Sequence, residues 1–157
     1  MRKTLSTSTG GKTVVWVYAP GIIADGRYDS ANVEALTGVP QGTTELTTKA
    51  MDGWRSVFAP QPNLSAETLR RLAREARVHI YCDSDEPLHA DGWFLALHTA
   101  TGGQRTIRLP HQCAQMREVF SGRILGENVT AFTDQLAAPD TVLYELQRAP
   151  IGVGKAD

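Results

Sequence analysis

The fold is decided by the stretch Thr13-Val14-Val15-Trp16-Val17-Tyr18-Ala19-Pro20-Gly21. It is a run of β-forming residues that ends at a Pro-Gly turn. Because apolar residues occupy consecutive positions rather than every second one, the run predicts a strand covered on both faces, as in a mostly parallel sheet. A strand that ends in a loop and then leads into a helix is the basic unit of an α/β layer. The first part of the chain is therefore predicted to be such a layer.

The predicted α/β layer extends over residues 13–77. Residues 1–12 are mostly Ser, Thr, Gly and Lys, and they predict a disordered tail. A first helix is predicted over residues 31–37, because Asp29-Ser30 can cap its start and Gly38 can end it in the left-handed conformation. A second helix is predicted after the N-cap Ser65. Its apolar stripe is formed by Leu69, Leu72, Ala73 and Ala76.

The hydrophobic period changes from helical to alternating at Val78, and residues 78–148 are predicted to be all-β. Residues 78–82 predict a strand, and residues 93–99 predict a second one with Trp93 directed into the core. Five or more short strands without intervening helices are typical of an antiparallel β-sandwich. Residues 149–157 are predicted to be a second tail. The remaining predicted strands are residues 105–109, 116–120, 123–125, 129–136 and 141–146.

The charge and the cysteines limit the classes of partner and compartment. The net charge is -1, which gives no electrostatic argument for binding nucleic acid or an anionic membrane. No apolar run approaches the roughly 20 residues that span a bilayer, and no apolar signal segment follows Arg2-Lys3. Cys82 and Cys113 have no CxxC partner, so two buried free thiols in a reducing compartment, the cytoplasm, are predicted, with a disulfide between them as the alternative.

Several segments resemble the C-terminal portion of large bacterial glycoside hydrolases, including β-galactosidases. The first part is similar to the late part of their glutamine-amidotransferase-like (flavodoxin-like) domain, which mediates trimerisation in some of these enzymes. The second part is similar to the small β-sandwich that closes them. The resemblance covers residues 11–147 in the same order. The segments that carry it are residues 11–21, 32–39, 78–85, 94–98, 106–110 and 142–146.

The resemblance implies a part of a hydrolase rather than a whole enzyme. In that family the catalytic carboxylates lie in a (β/α)8 barrel, which alone takes about 250 residues. The chain has 157 residues, so no position matches the family's catalytic residues. We therefore expect no catalytic residue, cofactor or metal here. We expect the unpaired edge and uncovered faces of residues 13–18 to direct self-association or docking to a catalytic barrel.

Each group of residues that could carry chemistry also has a structural interpretation. The acidic cluster Asp83, Asp85 and Glu86 precedes Pro87, where a solvated turn is expected rather than a catalytic pair. The four histidines lack the short spacing of metal ligands. Trp54 follows the Asp52-Gly53 turn, and an exposed indole there could stack on a sugar ring. The histidines in question are His79, His89, His98 and His111.

Two functions therefore remain open from the sequence. The first is a non-catalytic assembly or structural part of a glycoside hydrolase, in which the β-sandwich acts as a structural cap. The second is a stand-alone carbohydrate-binding module that uses Trp54. No nucleic-acid or membrane partner is expected in either case.

Overall fold

The computed structural model describes residues 11–147. The two predicted tails therefore lie outside the described residues, apart from Gly11 and Lys12. Strands make up 47% and helices 13% of the structure, so the chain is largely β, with few helices and several sheets. It divides into two compact units between Val78 and His79. Residues 11–78 are called the first unit below, and residues 79–147 the second unit.

The first unit contains a small mixed sheet with the strand order β1-β5-β4. β1 runs parallel to β5, and β4 runs antiparallel to it. β2 and β3 form a separate two-stranded ribbon. The elements are β1 (Thr13–Val17), β2 (Ile23–Ala24), β3 (Arg27–Tyr28), α1 (Ser30–Thr37), β4 (Thr47–Ala50), β5 (Arg55–Ala59) and α2 (Ala66–Glu75).

The two helices of the first unit contact opposite faces of this sheet. Ser56 Oγ donates a hydrogen bond of 2.6 Å to the carbonyl of Thr37, the last residue of α1. Its neighbour Arg55 forms an ion pair with Glu75, the last residue of α2, with 3.1 Å between Nη1 and Oε2. Because successive side chains of a strand point to opposite faces, these two contacts place α1 and α2 on different sides of β5.

Both predicted helix starts are confirmed, but the predicted apolar stripe of α2 is only partly buried. Asp29 accepts a hydrogen bond from the Asn32 amide, and Ser65 accepts one from the Thr68 amide. Leu72 is buried, whereas Leu69 is 48% exposed. A sheet of three short strands offers a narrow apolar strip, so it covers one row of the helix rather than the full stripe.

The local pattern predicted that β1 is covered on both faces, and this is wrong, whereas the expectation of an uncovered face is confirmed. Trp16 packs against a small core of Val33, Val39 and Phe58. Val15 and Val17 point the other way and remain 36% and 42% exposed. β1 lies at the edge of a sheet too small to be covered across its full width, so one face of this strand stays open.

The second unit is a five-stranded antiparallel sheet with the strand order β6-β7-β10-β8-β9. Two of its strands are much longer than the short strands that the sequence predicted. The two strands predicted on either side of Pro110 form one continuous strand, and so do the two predicted on either side of Asn128. The strands are β6 (Leu88–Ala90), β7 (Phe94–Thr99), β8 (Gly103–Glu118), β9 (Ile124–Leu136) and β10 (Asp140–Gln147).

The long β8–β9 hairpin folds over the rest of its own sheet. Its register shifts between Arg108 and Cys113, and only the part of β8 after this shift also pairs with β10. The rings of Phe132 on β9 and Tyr144 on β10 lie 4.9 Å apart, although these strands are not neighbours. The two halves of the sheet therefore enclose a core. Its buried members are Leu95, Leu97, Ile107, Leu109, Cys113, Met116, Phe132, Leu136, Val142, Tyr144 and Leu146.

Two predictions at the start of the second unit are wrong. Residues 78–82 are not a strand, and they contact β8 through one backbone hydrogen bond of 2.7 Å, from the Arg108 amide to the Tyr81 carbonyl. Trp93 is not in the core but is 56% exposed. Asp91 Oδ1 accepts hydrogen bonds from the amides of Trp93 and Phe94, so a turn holds Trp93 and the strand starts only after it.

Candidate functional site

Trp54, the residue that the sequence assigned to sugar binding, lies half-buried in the turn before β5. Its ring makes an edge-to-face contact with Trp16, with 6.4 Å between the ring centroids and 63° between the planes. This contact uses part of the indole surface, and it ties the turn to β1.

Glu86 of the acidic turn forms a two-point ion pair with β8 instead of facing solvent. Arg105 Nε and Nη2 donate to its two oxygens at 2.6 and 2.5 Å. These hydrogen bonds from Arg105, helped by the hydroxyls of Thr99 and Ser84, lower the pKa of Glu86 to about 2, although burial acts in the opposite direction. Glu86 therefore holds the acidic turn to β8, and the expectation of a solvated turn is wrong at this residue.

The other acidic and histidine side chains do not converge on a common point. Asp83 pairs with Arg108 at 3.0 Å, and both side chains are exposed. His79 Nε2 lies 2.9 Å from the Arg108 carbonyl, and His98 Nδ1 lies 2.8 Å from Thr141 Oγ1. Within residues 11–147, no group of three or more His, Cys, Asp or Glu side chains could hold a metal ion.

A polar cluster in the second unit, buried at Asp134 and Tyr144 and exposed at Arg123, joins β9, β10 and the turn between β8 and β9. Arg123 donates to both oxygens of Asp134 at 3.0 Å, and the hydroxyl of Tyr144 donates to the same carboxylate at 3.1 Å. Burial raises the pKa of Tyr144, and the nearby Asp134 charge raises it further. The three groups satisfy one another, so this cluster links strands and offers no reactive group.

A groove between the start of β7 and the end of β10 has a different character, and we call it the Trp93 groove. It has a volume of about 290 Å³ and is lined by Trp93, Phe94, Glu145, Leu146 and Gln147. Trp93 and Phe94 are both exposed aromatic side chains. The backbone of the groove is fixed, because the amide of Leu146 donates to the Trp93 carbonyl at 2.7 Å.

The outer face of the sheet continues the groove as a row of side chains. Phe94 lies opposite Glu145, Glu145 opposite Arg117, and Arg117 opposite Ile124. Arg117 Nε donates to Glu145 Oε2 at 3.0 Å, and Arg117 Nη2 makes a second, shorter contact. Hydrogen bonding by Arg117, with a smaller contribution from Gln147, lowers the pKa of Glu145. The row thus places two charged groups between two apolar ones, and the two charges cancel.

One sequence feature could have predicted that Trp93 is exposed, but the alternating strand pattern pointed to the opposite conclusion. Asp91-Gly92 is a turn pair, and it stands directly before Trp93. A turn at that point moves Trp93 out of the alternation that would have placed it beside Leu95 and Leu97. The cross-strand partners Glu145 and Arg117 are far away in sequence, and only the sheet register brings them together.

No protein-family model matches the sequence, and no curated protein or solved structure gives a significant match. No relative therefore assigns a role to the Trp93 groove or to the open edge of β1. Within residues 11–147, the structure has no helix that is long and apolar enough to cross a membrane.

Proposed function

We propose that this chain is a non-catalytic assembly part of a glycoside hydrolase, without the catalytic barrel, and that it joins its partner through the edge of β1. In this proposal the first unit is a partial glutamine-amidotransferase-like α/β layer, and the second unit is a β-sandwich that acts as a cap. This proposal is supported by the resemblance of residues 11–147 to the C-terminal portion of large bacterial glycoside hydrolases. The proposal includes a cytoplasmic location, which fits the free thiols of Cys82 and Cys113.

The observation that carries the assembly role is the open edge of β1. One side of this strand pairs with β5, and no strand within residues 11–147 pairs with its other side. Residues 13–17 carry no charge and no proline. Val15, Val17 and Tyr18 are exposed along it. Edge strands of proteins that stay monomeric are usually protected by lysine, proline or a bulge, and β1 has none of these.

Such an edge favours association by strand addition, in which the backbone amides and carbonyls of β1 pair with another strand. A second copy of the chain can pair antiparallel about Val15, because the strand has no like charges to repel each other. A strand of a catalytic barrel subunit is the other partner that the resemblance implies. Both partners use the same edge, so one substitution in β1 tests the proposal.

The test is the mass in solution of the wild type and of Val15→Lys, measured by sedimentation velocity over a range of concentrations. We expect the wild type to self-associate and Val15→Lys to be monomeric, since a lysine in the middle of an edge opposes pairing. Leu69→Lys is the matched control, because Leu69 is also an exposed aliphatic residue but lies on α2. It should leave the mass of the wild type unchanged.

Two results would contradict the proposal. One is a wild-type chain that stays monomeric and also fails to bind a separately expressed glycoside hydrolase barrel. The other is hydrolysis of a nitrophenyl glycoside by the purified chain, which would show that it is catalytic. A monomer that binds the barrel, and loses this binding in Val15→Lys, would identify the barrel as the partner.

A further inference from the structure

We propose that the Trp93 groove binds one ring of a neutral saccharide. This inference does not depend on the β1 edge, because it rests on side chains of the second unit alone. It also differs from the expectation that Trp54 binds sugar, because the surface of Trp54 is partly used by Trp16.

The aromatic side chains supply the apolar part of such a site. Trp93 is 56% exposed and Phe94 is 42% exposed, and both line the same groove. A pyranose ring has a face of C–H groups, and such a face packs well on an indole or phenyl ring. Because the two side chains line one groove, they form a contiguous exposed apolar patch, and such patches can mark ligand-binding grooves.

The polar side chains supply matching hydrogen bonds. Within residues 11–147, the side-chain hydrogen bonds to Glu145 from Arg117 and Gln147 all go to Oε2. Oε1 therefore keeps its capacity to accept hydrogen bonds. Gln147 contributes an amide, which can both donate and accept. Sugar hydroxyls need donors and acceptors side by side, and the groove provides both next to its rings.

The charge of the groove selects against ionic ligands. Glu145 is paired with Arg117, and Gln147 is neutral, so the two charges beside the aromatic side chains cancel. The groove has no excess positive charge to attract a phosphate or an acidic peptide. It also has no excess negative charge to attract a cation, because Arg117 neutralises Glu145. This balance favours a neutral ligand rich in hydroxyl groups.

The size of the groove favours a small ligand. Its volume of about 290 Å³ lies at the lower limit of small-molecule sites, which begin at about 300 Å³. It is open at the surface, as is required for a terminal or internal ring of a longer chain. The geometry thus fits one sugar ring with its neighbours outside.

The test is a calorimetric titration of the whole chain with lactose, cellobiose and xylobiose, with glucuronic acid as the charged comparison. We expect saturable binding of at least one neutral disaccharide. Trp93→Ala should weaken it by about tenfold through loss of ring contact. Glu145→Gln should weaken it by about fivefold, since a neutral acceptor replaces a charged one.

Two matched variants separate the ring contact from general disturbance. Trp93→Phe keeps an aromatic face and should retain most of the affinity. Phe120→Ala removes an aromatic side chain that is also exposed but lies outside the lining of the groove, and it should bind as the wild type does. Thermal unfolding of each variant checks that the second unit is folded.

Several results would overturn this assignment. They are the absence of saturable binding at millimolar sugar, binding that survives Trp93→Ala but is lost in Trp54→Ala, or preferred binding of glucuronic acid. A change in oligomeric mass in Trp93→Ala without any sugar binding would make the groove a protein contact instead. Val15→Lys should bind sugar as the wild type does, so a failure of the β1 proposal does not affect this one.

Discussion

The two units of this chain differ in the size of their hydrophobic cores and in whether their buried polar groups have hydrogen-bond partners. The first unit has a small core cluster of three buried residues, whereas the cluster of the second unit has eleven. Trp16 Nε1 and two nitrogens of Arg55 in the first unit are buried without an acceptor, and the described part of the second unit has no such donor. Three short strands cannot enclose a large core. The second unit therefore encloses a large core of its own, whereas the first unit has a small core and three buried donors without acceptors.

The largest effect that we expect from this difference is in how much a cavity-forming substitution lowers the free energy of unfolding. Leu95→Ala in the second unit should lower the free energy of unfolding by about 4 kcal/mol, because a fully enclosed site cannot collapse around the missing atoms. Leu72→Ala in the first unit makes the same chemical change, but its thinly covered site can relax, so about 2 kcal/mol is expected. Urea denaturation followed by hydrogen exchange of each unit's amides measures both losses. Equal losses would show that the two interiors are packed alike.

The second unit also contains a buried ion pair whose loss should cost less than the cavity. Glu86→Gln leaves Arg105 without its charged partner and should lower stability by about 2 kcal/mol, because the side chain of Glu86 is only 11% exposed. Asp83→Asn is the matched control in the same turn. Its pair with Arg108 is exposed and screened, so less than about 0.5 kcal/mol is expected. A similar cost for the two variants would contradict the anchoring role of Glu86.

The same pair predicts how stability changes in acid. The pKa of Glu86 is about 2 in the folded chain, below its ordinary value of 4.5. The ion pair therefore contributes its full stability above about pH 4.5 and loses it as the pH falls towards 2. Unfolding measured across this window should show a smaller acid loss for Glu86→Gln than for the wild type. An unchanged acid profile would show that Glu86 does not determine it.

The sequence predicted the ends of the helices well and the extent and pairing of the strands poorly, for a physical reason. A helix cap involves neighbours in sequence, so Asp29, Ser65 and Gly38 could be recognised from their types and positions. The free state of both cysteines was also predicted correctly, although only Cys113 is buried as expected and Cys82 is half-buried. In contrast, the β8–β9 bend, the Glu86–Arg105 pair and the row through Phe94 depend on strand register, which residue types in one segment do not determine.

The second helix of the first unit ends in a conformation that its residue type disfavours. The amides of Arg77 and Val78 donate to the carbonyls of Arg74 and Ala73, which is the bonding pattern of a Schellman motif. Arg77 has φ of 58°, in the left-handed region where glycine is preferred. The first helix meets this requirement with Gly38, whose φ is 73°. The two helices of this unit thus end in the same left-handed conformation, but with different residue types.

Arg77→Gly should therefore stabilise the first unit, by about 0.5 kcal/mol. Relief of the left-handed arginine contributes about 1 kcal/mol, and the greater backbone freedom of glycine in the unfolded chain offsets part of that gain. Gly38→Ala is the reciprocal variant and should destabilise, because its new Cβ would lie 2.7 Å from Met51 Sδ as well as adopt a positive φ. Urea midpoints that move in opposite directions for the two variants check the prediction. A loss of stability in Arg77→Gly would show that the arginine side chain itself supports the end of α2.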